Sequence, residues 1–144
     1  MIGEGLLDIR THKIASQRLV GEPLEIRTGE YARARLKTNG EMAIDNSGLI
    51  HGGFTFSLAD YAAMIAVNEP YVVLASAKVR FMRPVRVGEE LMAEARVIQV
   101  EGRKRNVEVK VSSNSNVVFN GEFMCAVLER HVLEGASDNQ DKER

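Results

Sequence analysis

The chain has 144 residues, 44% of them apolar and 27% charged, the mixture of one soluble globular domain. Its 19 Lys and Arg stand against 20 Asp and Glu, a formal charge of −1, which excludes a broadly basic nucleic-acid binder and an acidic, solvating, disordered chain. A domain of this length buries roughly two-thirds of its unfolded surface, enough for a core of its own.

The opening residues, Met1 to Asp8, carry two acids and no basic region, so they do not read as a signal peptide. Residues 6–18 mix apolar and charged side chains in a way that predicts a short amphipathic helix, broken at Gly21-Glu22-Pro23. Leu24 to Lys37 reads as a strand, or as a strand pair bent near Thr28-Gly29, and 38–41 and 45–48 are turn-rich.

The most distinctive stretch runs from His51 to Asn68. Between Phe54 and Val67 only Thr55, Ser57 and Asp60 are firmly polar. A surface helix would show a broad polar face, so this segment predicts a buried central helix. Its alanines at 59, 62, 63 and 66 favour helix and allow close approach of a neighbouring layer. Pro70 restricts the residue before it and is expected to end the helix around Asn68-Glu69.

Everything after the helix reads as strand. Val73, Ala75, Ala77, Val79 and Phe81 alternate with Leu74, Ser76, Lys78, Arg80 and Met82, the period of a half-buried strand. Pro84 and Gly88 mark a turn, after which Leu91, Ala93, Ala95 and Val97 share a face. A hairpin at residues 101–104 leads to Val107, Val109 and Val111. A second hairpin at 112–116 leads to Phe119, Gly121, Phe123, Cys125 and Val127. Three long strands joined by tight turns make an antiparallel meander. The expected architecture is α+β, one long central helix wrapped by a curled antiparallel sheet. It forms a single domain over residues 1–134, followed by a disordered polar tail at 135–144.

Cys125 is the only cysteine, which excludes an intrachain disulfide and a Cys-rich zinc site, and its apolar surroundings predict a small buried hydrophobe. His12, His51 and His131 lack the spacing of metal ligands, so no metal is expected. The longest uninterrupted apolar run, Tyr61 to Val67, is far short of the roughly 18 residues of a membrane span, and a cytoplasmic location is expected.

Asp60 is the residue to explain, because a carboxylate inside an otherwise apolar helix pays for desolvation. Burial raises its pKa above the reference of about 3.9 and makes it a candidate general base or nucleophile. The alternatives are that it faces a solvent slot or bonds Ser57 one turn earlier. His51-Gly52-Gly53 stands directly before the helix. Glycines there permit close backbone approach, and free N–H groups at the positive end of a helix suit a developing oxyanion.

His51-Gly52-Gly53, Phe56-Ser57-Leu58-Ala59-Asp60, Ala62, Asn68, Phe81-Met82-Arg83-Pro84 and Gly88 together resemble the hotdog-fold acyl-CoA thioesterases, and within them the phenylacetic-acid-degradation (PaaI-like) group. The resemblance covers roughly Asn46 to Leu128. It implies hydrolysis of an acyl-CoA thioester to a free acid and coenzyme A, with no cofactor beyond the coenzyme A of the substrate. The catalytic acid falls on Asp60, the motif histidine on His51 and the oxyanion-binding amide on Gly52 or Gly53. It further implies a homodimer, in the family often paired further into a homotetramer, in which His51 and the glycines face Asp60 of the second copy. Ser76 lies near a family Ser/Thr position.

The family commonly carries Asn six residues before the histidine. Here that position is Asp45, with Asn46 beside it, and a shift of one residue would put Asn46 in the slot as the group that holds water or the substrate carbonyl. A second carboxylate in the slot would oppose oxyanion development and weaken turnover, so a non-catalytic acyl-CoA-binding regulator is the alternative. Arg83 and Arg86 flank Pro84, and Arg103-Lys104-Arg105 occupy a hairpin. These are the candidate partners for the phosphates of coenzyme A. No nucleic-acid or membrane partner is expected.

Overall fold

Helix α2, Gly52–Val67, runs through the centre of the computed structural model, which describes residues 7–135. All residues from Tyr61 to Val67 are buried, as are Thr55, Leu58 and Ala59, so the helix has no polar face along its second half. It ends at Asn68, where the sequence placed its end, and the cap is built by Asn68 itself. Asn68 takes the left-handed conformation (φ 56°) and caps the helix with its backbone N–H on the Met64 carbonyl.

The Asn68 side chain is fully buried and fully used. Its Nδ2 donates to the Asp8 carbonyl at 2.6 Å and to Thr28 Oγ1 at 2.9 Å, and its Oδ1 accepts from the Arg10 N–H at 2.9 Å. These bonds explain why the predicted helix over residues 6–18 is not there. Only the short helix α1, Gln17–Val20, forms; residues 7–10 lie without regular structure, their backbone tied to Asn68, and His12 has φ 55°. No common apolar face pulls the segment into a helix, since Ile14 is 99% exposed. Gly21 then turns the chain at φ 114°, where a Cβ would meet Leu58 Cδ1 at 2.6 Å.

Six antiparallel strands follow the order β1-β2-β4-β5-β6-β3. The strand pair expected around Thr28-Gly29 is β1 (Glu22–Arg27) and β2 (Tyr31–Lys37). The meander is β4 (Glu90–Glu101), β5 (Lys104–Ser113) and β6 (Asn116–Val127). Its hairpins turn on Gly102 (φ 57°) and on Asn114-Ser115 (φ 49° and 70°), the positive angles that two-residue hairpin loops need. β3 (Val72–Phe81) follows the helix and pairs only with β6, so β1 and β3 are the sheet edges.

The predicted alternation in β3 slips by one residue. Leu74 pairs with Cys125 and Ser76 with Met124, leaving Ala75 as the extra residue of a bulge. Val72 and Leu74 therefore face the core before the bulge, not Val73, and Val79 faces it after.

The sheet wraps α2, which touches all six strands. Ala32 and Ala34 of β2 and Ala93 and Ala95 of β4 meet the helix alanines, all fully buried, so the layers approach closely. Leu36, Phe119 and Phe123 fill the wider parts, each contributing about 1.5–3 kcal/mol on burial. The α+β architecture expected from the sequence is the one observed. The expected polar tail lies at residues 136–144, outside the described residues, apart from Gly135.

Candidate active site at the mouth of the central helix

His51 is the N-cap of α2, and its Nδ1 accepts the Gly53 N–H at 2.7 Å. With Nδ1 used as an acceptor, the neutral ring carries its proton on Nε2, which leaves His51 a donor at an exposed position. The bond also decides between the two glycines. The Gly53 N–H is occupied and the Phe54 N–H donates to the His51 carbonyl, whereas the Gly52 N–H has no acceptor among the described residues.

Both glycines are closely approached by aromatic rings. A Cβ on Gly53 would stand 2.9 Å from His51 Cε1, and one on Gly52 would stand 3.1 Å from Phe81 Cε1. Beside Gly52 opens a cavity of about 240 Å³. Ile50, Val85 and Val118 form its apolar wall, Phe81 and Arg83 its outer part, and Thr55 lines it from one turn further along the helix. Sequence reasoning missed Thr55 as a site residue. The available signal for Thr55 was its hydroxyl in an apolar helix, three positions after Gly52.

Asp60 lies two turns deeper, roughly 12 Å along the helix from Gly52. Its Oδ1 is enclosed and has no hydrogen-bond partner, so the bond to Ser57 that the sequence left open is absent. Burial pushes its pKa up from 3.8 to about 6. The group is thus ionised near neutrality, yet basic enough to take a proton from water. Cys125 is close enough to feel that charge. Its thiol, fully buried, is pushed up to about 12, first by burial and then by Asp60, which makes it the inert small hydrophobe the sequence predicted.

The remaining candidates are dispersed. Asp45 Oδ1 accepts the N–H groups of Ser47 at 3.0 Å and Leu49 at 3.5 Å, so its carboxylate closes its own loop. Asn46 is exposed beside it. Ser76 pairs with Met124, between the inward-facing Phe123 and Cys125, so it sits on the outer face of the sheet, away from α2. The basic residues form two groups. Arg83 and Arg86 lie at the helix mouth, where the Arg86 carbonyl accepts the Thr38 hydroxyl. Arg103, Lys104 and Arg105 lie at the other end of the twelve-residue β4, roughly 35 Å away along the strand. There Arg103 pairs with Glu129 at 2.6 Å, and Arg105 Nη1 donates to the Gly102 and Lys104 carbonyls. Among the described residues no three His, Cys, Asp or Glu side chains converge on a common point. None of their helices is long and apolar enough to cross a membrane.

A family model of the thioesterase superfamily matches residues 47–120, just over half of the chain. The chain belongs to the thioesterase superfamily. Its helix wrapped by an antiparallel sheet is that superfamily's hotdog arrangement. Among solved structures, an uncharacterized protein from Pyrococcus horikoshii is 56% identical with a TM-score of 0.86, over 88% of this chain and 97% of that one. A variant of the phenylacetic acid degradation protein PaaI from Thermus thermophilus is 25% identical with a TM-score of 0.70, over 78% and 97%. Within the superfamily the chain is thus similar to PaaI proteins.

Two curated relatives extend beyond this domain. A methylthioribose-1-phosphate isomerase of Aquifex aeolicus is 48% identical over 122 residues, which is 85% of this chain and 26% of that protein. The transcription factor FapR of Caldanaerobacter subterraneus is 28% identical over 125 residues, 87% of this chain and 62% of that protein. The chain thus spans about a quarter of the first and under two-thirds of the second.

Proposed function

We propose that the protein hydrolyses an acyl-CoA thioester to a free acid and coenzyme A. The observation that carries this reading is the enclosed, unpartnered Oδ1 of Asp60, a carboxylate poised near neutrality in a thioesterase-superfamily helix. The Gly52 N–H, at the positive end of α2, would bind the thioester carbonyl oxygen and stabilise it as charge develops. Asp60 would take a proton from water as the water attacks the carbonyl carbon. Collapse of the tetrahedral intermediate breaks the C–S bond and releases the coenzyme A thiolate, which takes up the proton. Alternatively Asp60 attacks the carbonyl itself and expels the coenzyme A thiolate as the C–S bond breaks, and water then hydrolyses the mixed anhydride, releasing the free acid, Asp60 and the proton that the thiolate takes up.

One helix cannot present both groups to one carbonyl, because Gly52 and Asp60 lie roughly 12 Å apart on a rigid rod while hydrogen bonds reach about 3 Å. The reading therefore assigns the mouth of one copy to Asp60 of a second. The unpaired edge of β3, with residues 75–78 exposed and Phe81 56% exposed, supports β3 as the seam of such a homodimer. Two dimers pairing further would give a homotetramer. Arg83, at the cavity beside Gly52, is the first cation available to the phosphates, with Arg86 next to it. Arg103, Lys104 and Arg105 would contribute only to a ligand reaching the far end of the sheet. The reading places the reaction in the cytoplasm, where a coenzyme A thioester would be met.

The second reading, an acyl-CoA-binding regulator without turnover, is favoured by the FapR relatives, which are named transcription factors. The distinguishing experiment follows thiol release from short, long and aryl acyl-CoA substrates, with calorimetric binding of the same compounds. Turnover lost in Asp60→Asn with the assembly intact supports the hydrolase. Tight binding with no thiol release by the wild type supports the regulator.

A further inference from the structure

Thr55 is 3% exposed and lines the cavity beside Gly52. A threonine within a helix ordinarily returns its hydroxyl to a carbonyl three or four residues earlier. Here the hydroxyl has no hydrogen-bond partner among the described residues, and it is not among the polar atoms sealed from solvent. The open space it meets is the cavity. Side chains of a helix lean toward its N-terminus, so Thr55 at the fourth helical position reaches over the turn that begins at Gly52. The apolar wall of Ile50, Val85 and Val118 holds no competing acceptor side chain.

We propose that the Thr55 hydroxyl is a second donor to the acyl carbonyl oxygen, converging with the Gly52 N–H on one acceptor in this cavity. The inference rests on the acyl-CoA reading above and names a further residue of that site. An oxyanion held by one backbone amide gains a second, pre-placed hydrogen bond beside an apolar wall. The hydroxyl also discriminates between ligands. A chain with a carbonyl at this depth satisfies it, and a saturated chain leaves it unpaired.

The test uses the full chain with Thr55→Val, which keeps the branched shape, and Thr55→Ser, which keeps the hydroxyl. Two probes separate binding from chemistry: the acetyl-CoA analogue in which CH2 replaces the thioester sulfur, and S-ethyl-CoA, which lacks the carbonyl. In Thr55→Val we expect kcat/KM on acyl-CoA to fall about 100-fold and ketone-analogue binding to weaken about 10-fold, on the lower side of a lost hydrogen bond to a developing charge. S-ethyl-CoA binding should stay within about twofold, and Thr55→Ser should restore both losses to within about threefold. Thr55→Val should melt close to the wild type, since it removes no hydrogen bond within the protein. Wild-type turnover and ketone binding in Thr55→Val would overturn the inference while leaving the hydrolase reading intact. Ketone binding without wild-type turnover would overturn the hydrolase reading while the comparison of the two probes still decides Thr55. A wild type that binds neither probe would overturn both.

Discussion

Replacing Asp60 by Asn separates two consequences of one buried charge. Burial raises the folded-state pKa from 3.8 to about 6, a difference of about two units, which corresponds to about 3 kcal/mol at about 1.4 kcal/mol per unit. The sign follows from which state ionises first. Below pH 3.8 Asp60 is neutral in both folded and unfolded chains and costs nothing as a charge. Between 3.8 and about 6 the unfolded chain ionises while the folded one resists, so stability falls as pH rises. Above about 6 the full cost is present and no longer changes.

Asn removes this cost and keeps nearly the same shape. Asp60→Asn should therefore exceed the wild type by only about 0.5 kcal/mol at pH 4 and by up to about 3 kcal/mol at pH 8, read from urea unfolding at both values. Turnover should fall by at least about 100-fold, the range associated with loss of a general base. Wild-type kcat/KM should rise with pH through about 6 and level off above it, as Asp60 loses its proton. Equal stability of the two proteins at pH 8, or turnover within about threefold, would refute the assignment of Asp60 as a strained and reactive carboxylate.

Gly53→Ala drives a Cβ to 2.9 Å from the His51 ring, which must leave its bond to the residue 53 N–H. We expect about tenfold lower kcat with a small loss of stability, about 1 kcal/mol for the bond, measured by steady-state kinetics and thermal melting. Asn68→Gly keeps the left-handed cap but removes three side-chain hydrogen bonds, and should cost about 2–3 kcal/mol in urea unfolding and speed proteolysis before residue 17. Cys125 should react with a disulfide reagent only as fast as the protein unfolds, and Cys125→Ala should keep turnover within about threefold. Fast labelling of the native protein would contradict its burial.

The central helix was readable because a run with three polar residues between Phe54 and Val67 has no solvent-facing side, whatever surrounds it. The meander was readable because Leu91, Ala93, Ala95, Val107, Val109 and Val111 keep strict alternation, and all six are fully buried. The β3 phase was not readable, since the bulge at Ala75 inserts a residue without any change in composition. The segment before residue 17 was misread because its conformation is decided by Asn68, which lies more than fifty residues away in sequence. At the site, Asp60 announced itself as the one acid in an apolar helix. The choice between Gly52 and Gly53 did not, because it depends on where the His51 ring turns.

The two basic groups show the same limit from the other direction. Arg83, Arg86 and Arg103 to Arg105 look like one cluster when counted against a net charge of −1. In the fold the length of β4 separates them, and only Arg83 lines the cavity that holds Gly52 and Thr55. Charge counted along a chain says how much is available, while the strand between two arginines decides whether one ligand can use both. The same reasoning applies to Gly52 and Asp60, held apart by two turns of one helix. A straight helix gives these two groups a fixed separation that no side-chain rotation can close. Bringing an amide donor and a carboxylate to one carbonyl therefore calls for two helices, and the exposed β3 edge is where a second copy would supply the other.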